Sequence, residues 1–149
     1  TADNIAVRCI RTLREVQLSP VAAAWGGVTR AVTRIHRQKW TSPNTINIEL
    51  IMENEENKIT INHDHIMTPE TEKTCHYLFG FTRDYNLEKG YPTDKDVRRV
   101  QETIIGTEDI PMVEAQQLNK TRFDDPQDVP GQADKFLIAV HKRIEEITG

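Results

Sequence analysis

The sequence predicts an α+β fold, an antiparallel sheet with helices laid over one face. Two observations predict it. Between residues 5 and 83, stretches rich in β-branched and aromatic residues alternate with polar ones and are punctuated by turn-forming Pro, Asn and Gly. From Thr93 onward the apolar spacing changes to three and four, the period of an amphipathic helix. With 149 residues, 37% of them hydrophobic, the chain has the length of one slightly apolar-poor domain. Such a domain buries roughly 70% of its unfolded surface.

Residues 5–16 (IAVRCIRTLREV) read as the first strand. Ser19-Pro20 offers an N-cap followed by Pro at the first helical position, opening a short Ala-rich helix that Gly26-Gly27 ends. The chain is extended from Gln38 to about Thr41, and Pro43-Asn44 supplies a turn. Residues 45–52 (TINIELIM) alternate as a strand, residues 53–58 are a charged hairpin connection, and residues 59–67 return. Thr68-Pro69-Glu70-Thr71 makes a corner before the aromatic strand at residues 74–83 (TCHYLFGFTR). The middle of the chain is therefore an antiparallel meander. The helical segment carries Val97, Val100, Ile104 and Ile105, then Met112, Val113 and Leu118. Pro111, lacking an N–H and crowding the preceding turn, is expected to bend or restart it. Residues 119–130 are polar with two prolines and read as a loop. Residues 131–148 form a closing helix with Phe136, Leu137, Val140, Ile144 and Ile147 on one side.

Composition excludes several functions. Nineteen basic against 23 acidic side chains leave a net charge of −4, which rules out nucleic-acid binding through bulk charge. No window approaches the ~20 apolar residues of a membrane span. Thr1-Ala2-Asp3-Asn4 has neither the basic start nor the apolar run of a signal peptide. Cys9 and Cys75 are isolated, as expected of reduced thiols in a cytoplasmic protein, and they assemble no zinc or cluster motif.

Candidate chemistry is sparse. The five histidines include no helical i, i+4 metal pair, and no Ser-centred elbow occurs. His63 and His65 are two apart on a strand, so both rings leave the same face. Two ligands are too few for a metal, and a histidine facing a helix-covered cavity is better suited to hydrogen-bonding a polar ligand group. Glu108-Asp109 is open to two readings: helix-start acids favoured by the macrodipole, or a functional carboxylate.

Two stretches carry a family resemblance. The run from His65 to Gly80 (HIMTPETEKTCHYLFG), followed by Arg83-Asp84-Tyr85, and the segment 108–117 (EDIPMVEAQQ) lie in order, about 25 residues apart. Together they resemble the C-terminal part of the catalytic domain in Rieske-type non-haem iron aromatic oxygenases of the vanillate O-demethylase and dicamba monooxygenase kind. The resemblance implies a helix-grip (START-like) fold, in which a curved antiparallel sheet wraps a long C-terminal helix around an apolar cavity. It also implies a mononuclear Fe(II) held by two histidines and one carboxylate. By position Asp109 matches that carboxylate. His65 matches a pocket-lining histidine, Asn47 a pocket amide and Val100 a cavity-lining residue, so that Asn47, His65 and Val100 would contact an aromatic substrate. Glu114, Gln116 and Gln117 read as helix-packing groups.

The family's N-x3-D-x2-H-x4-H iron helix and its C-x-H…C-x2-H motif for the [2Fe–2S] Rieske cluster do not occur in this sequence. Residues 1–149 are accordingly expected to be a piece of the catalytic domain, inactive alone, and the absence of Met at position 1 fits such a boundary. The resemblance further implies a homotrimeric parent, a reductase or ferredoxin as electron donor, and hydroxylation or O-demethylation of an aromatic substrate with dioxygen. Two other readings stand beside it. One is a stand-alone helix-grip domain binding a small hydrophobic ligand without iron; the other is a purely structural or interaction domain.

Overall fold

The computed structural model describes residues 6–41, 43–88, 90–123, 129 and 131–149. Residue 5 of the first expected strand, and residues 124–128 and 130 of the expected loop, lie outside the described residues. The chain forms two compact units, one made of Thr1–Tyr85 with Pro130–Gly149, the other of Asn86–Val129. A single domain was the expectation from length.

The first unit is built on five strands, β1 (Ala6–Val16), β2 (Val32–Thr41), β3 (Thr45–Glu53), β4 (Lys58–Pro69) and β5 (Cys75–Arg83). They pair antiparallel in sequence order, forming the expected meander as a curved sheet. Two strands run longer than the sequence implies. β2 begins at Val32 rather than near Gln38. Its cations Arg34, Arg37 and Lys39 disguise the alternation, yet it is central and bonded to β1 and β3 on both sides. β4 continues through Pro69, so the corner falls at residues 70–74, where the Thr71 hydroxyl oxygen accepts from the Lys73 and Thr74 amides. A bulge between Leu13 and Val16 interrupts the β1 register, with Glu15 left-handed at φ +55°.

Helix α1 (Pro20–Gly26) starts and stops as its sequence dictates. The Ser19 hydroxyl accepts from the Ala22 amide at 3.3 Å, Pro20 occupies the first turn, and Gly27 closes the helix at φ +66°. Gly26 is there for closeness: a Cβ on it would lie 2.6 Å from Ile59 Cδ1. Trp25 and Val28 from this segment are buried, as are Val32, Met52 and Ile59. A 3₁₀ turn (Gln132–Asp134) leads into α4 (Lys135–Thr148), which packs against β1. Val140 is buried and Phe136 half-buried, but the rest of the expected apolar stripe is open, with Leu137 50% and Ile147 47% exposed.

The second unit holds α2 (Asp94–Ile104) and α3 (Ile110–Arg122). Thr93 and Asp96 cap α2 reciprocally: the Thr93 hydroxyl oxygen accepts from the Asp96 amide at 3.2 Å, and the Asp96 carboxylate accepts from the Thr93 amide at 3.0 Å. Pro111 does not break the helix. A π turn at Ile105–Asp109 joins α2 to α3, with the Ile110 amide donating to the Ile105 carbonyl. One extra residue in the turn gives room for a ring that clashes with an α-helical carbonyl and has no N–H to offer it. The loop expected from residue 119 also starts later. α3 runs to Arg122, and Lys120 and Arg122 in its last turn suit the negative end of the helix dipole.

Candidate functional site

Strand alternation and register divide the sheet into two unlike faces. One face takes Arg8, Ile10, Arg37, Lys39, Asn47, Glu49, Asn62, Asp64 and Thr82. It is closed by polar cross-strand pairs. Arg37 meets Glu49 at 2.8 Å, Asn62 donates to Thr82 at 3.3 Å, and the Asn47 amide donates to the Asp64 carboxylate. A cavity of about 510 Å³ opens beside Arg37, Asn47 and Asp64, and its lining also takes in Ile48 and His63 from the alternate strand positions.

The opposite face carries the aromatic residues. His63, His65, Tyr77, Phe79 and Phe81 leave β4 and β5 on that side, with Trp40, Ile46, Ile48 and Leu50 from β2 and β3. The His63 and His65 rings stack with centroids 6.0 Å apart and planes 5° from parallel, as the two-residue spacing requires. Phe81 meets His63 edge-on at 5.1 Å, and Phe79 meets His65 edge-on at 5.3 Å. Tyr77 stacks on His65 at 5.9 Å, and its hydroxyl is hydrogen-bonded to His65 Nδ1. This bond fixes the His65 ring by a partner on the neighbouring strand, leaving the Nε2 edge to set what the ring presents.

Burial dominates the electrostatics here. It pushes the His63 pKa down to about 4, assisted by His65 and His36 and opposed by Asp64 behind the strand. His36 on β2 is likewise lowered, first by burial, then by Arg34 and Arg11. At neutral pH, His63 and His36 are therefore uncharged hydrogen-bonding groups.

The register thus separates two of the expected substrate contacts. His65 lies on the aromatic face; Asn47 pairs with Asp64 and lies on the polar one. An extra clue lay in the sequence, since Tyr77 and Phe79 sit on β5 with the same two-residue period as His63 and His65. The partner of His65 could have been found that way. Val100 and Asp109 belong to the second unit. Val97 is buried, Val100 half-buried one turn later, and Asp109 is the exposed last residue of the π turn.

The profile of the vanillate O-demethylase oxygenase C-terminal domain matches residues 2–148, essentially the whole chain. The chain belongs to this family. Solved structures share its fold. Dicamba monooxygenase bound to 3,6-dichlorosalicylic acid superposes with a TM-score of 0.80 at 19% identity, over 99% of this chain and 45% of that one. Dicamba monooxygenase with non-haem iron and dicamba gives 0.77 at 20% identity, over 99% and 47%. A Comamonas testosteroni protein carrying the name of a toluene-4-sulfonate monooxygenase system iron-sulfur subunit is 37% identical over 79 residues, 53% of this chain and 22% of that protein. The VanA-type domain thus spans less than half the length of these relatives.

The family's relatives are named for iron, and the residues present do not make an iron centre. Among the described residues no three His, Cys, Asp or Glu side chains converge as a metal site. One carboxylate at Asp109 would leave a divalent ion almost fully hydrated. Among the described residues, no helix is long and apolar enough to cross a membrane.

Proposed function

We propose that this domain is the substrate-binding portion of a Rieske-type non-haem iron oxygenase acting on an aromatic compound with dioxygen, by hydroxylation or O-demethylation. The observation that carries the reading is the His63–His65–Tyr77–Phe79–Phe81 cluster on one face of the sheet, in a chain of this oxygenase family. Stacked and edge-on rings offer an aromatic ligand both favoured packing geometries, while His65 offers a hydrogen bond to a polar substituent. In this reading His65 contacts substrate, and Tyr77 holds the His65 ring. Asn47 serves from behind the sheet, fixing Asp64 between the two histidines. Asp109 would contribute one carboxylate to a mononuclear iron, which would supply dioxygen activation, while this chain's residues bind and orient the ring. Electrons come from a reductase or ferredoxin through a Rieske cluster elsewhere in a trimeric, cytoplasmic parent.

The test is Tyr77→Phe and His65→Ala in the oxygenase that carries this domain. KM for the aromatic substrate should rise about tenfold or more for His65→Ala, and less for Tyr77→Phe, which keeps the ring. Unchanged KM in both variants would overturn the assignment of this face. Asp109→Ala should remove the mononuclear iron while leaving the cluster spectrum intact; retained iron would overturn the ligand role.

A further inference from the structure

The aromatic face carries a second polar cluster, at the β1–β2 side of the sheet. Arg34 and His36 leave β2 on that face two residues apart, and Arg11 of β1 stands directly opposite His36. Strand spacing puts His36 about 12 Å from His63 and about 16 Å from His65 between Cα atoms. Leu50, opposite His36 on β3, and Ile61, opposite Leu50 on β4, pave the intervening ground with Ile48.

Two features of this cluster stand out. Arg34 Nε and His36 Nε2 are buried from water and have no hydrogen-bond partner among the described residues. Buried donors without acceptors are uncommon in native structures, and an arginine donates whatever its surroundings. No strand carboxylate answers them either. Outside the β1 bulge, the acidic residues of the five strands are Glu49, Glu53 and Asp64, and register places all three on the other face. The regularly paired strand residues of the aromatic face are thus cationic and apolar, with no carboxylate among them beside Arg11 and Arg34.

We propose that Arg34 and His36, with Arg11 at the rim, form an oxyanion subsite that binds the carboxylate or sulfonate of an aromatic ligand whose ring lies over Leu50, Ile48 and Ile61. This rests on reading the aromatic face as the substrate pocket. It assigns the selection of anionic over neutral rings to β2, at the far end of the face from His65. A planar guanidinium matches either oxyanion with two donors, so Arg34 is the main determinant and His36 the second. His36 is kept neutral by burial and its two arginine neighbours, and an arriving anion counteracts those arginines.

Calorimetric titration of the chain with benzamide, benzoate and benzenesulfonate tests this. Both anions should bind about tenfold or more tightly than benzamide. Arg34→Gln should bring benzoate to the benzamide level, His36→Gln should weaken it by less, and neither should alter benzamide. If Arg34→Gln unfolds the chain, His36→Gln and the nitrogen-15 titration of the His36 ring carry the test: bound benzoate should raise its pKa, and benzamide should not. Preference for only one oxyanion over benzamide supports the subsite and names the headgroup. Equal affinity for benzamide and both anions would overturn the subsite while leaving the pocket in place. A preference for anions that survives both substitutions would also overturn it. Binding of none of the three would overturn the subsite and the pocket together.

Discussion

His63 is the residue whose environment makes the most testable demand. Its pKa of about 4 in the folded chain lies below the ordinary histidine value, so the unfolded chain binds the extra proton between about pH 6.5 and 4. Stability from this group is full above pH 6.5, falls as pH drops through that window and is constant below it. After allowing for the part of the ring that water reaches, the loss amounts to about 1–2 kcal/mol. Denaturant unfolding at pH 7 and pH 4.5, repeated in His63→Gln, isolates it; an unchanged pH dependence in the variant would contradict the assignment. At this scale the sequence was half legible. The shared face of His63 and His65 follows from strand alternation alone, but the face taken by Asn47 depends on β3–β4 register, which residues 53–58 set through the hairpin connection. A shift of one residue in that pairing would have put Asn47 beside His65.

The same contrast holds for whole elements. Helix α1 was readable to its ends because Ser19, Pro20 and Gly27 each have one dominant local use. The approach of α1 to β4 was not, since it depends on Gly26 meeting Ile59 from a distant strand. Gly26→Ala should lower stability by about 1 kcal/mol, with part of that recovered when Ile59→Val removes the opposing methyl. Thermal unfolding of the two single variants and the double variant measures the coupling; additive losses would show that the contact is absent. The join between α2 and α3 was legible only in part, for a physical reason: a proline after a helical turn can be accommodated by widening the turn as well as by ending it. Pro111→Ala supplies the missing donor, so the π turn should tighten to α and slow amide exchange across residues 107–112. Unaltered exchange there would mean that the π turn is held by something other than the proline.

At the scale of the molecule, the antiparallel meander in the middle of the chain and the closing helix were legible, because a period-2 pattern gives way to a period-3.6 one. The division into two compact units was not, since it depends on which helices pack where. The metal account belongs to this scale as well. With no converging ligand group among the described residues, the chain should retain far less than one Fe(II) per molecule after desalting; a stoichiometric ion would contradict this. The central claim is that the aromatic face, and not the cavity beside Asn47 and Asp64, receives an aromatic ligand. Nuclear magnetic resonance titration of the labelled chain with a neutral ligand, benzamide, addresses it most directly. The account predicts shifts at the His63, His65, Tyr77, Phe79 and Phe81 rings with Arg8, Lys39 and Asn47 unmoved; shifts confined to those three polar residues would contradict it.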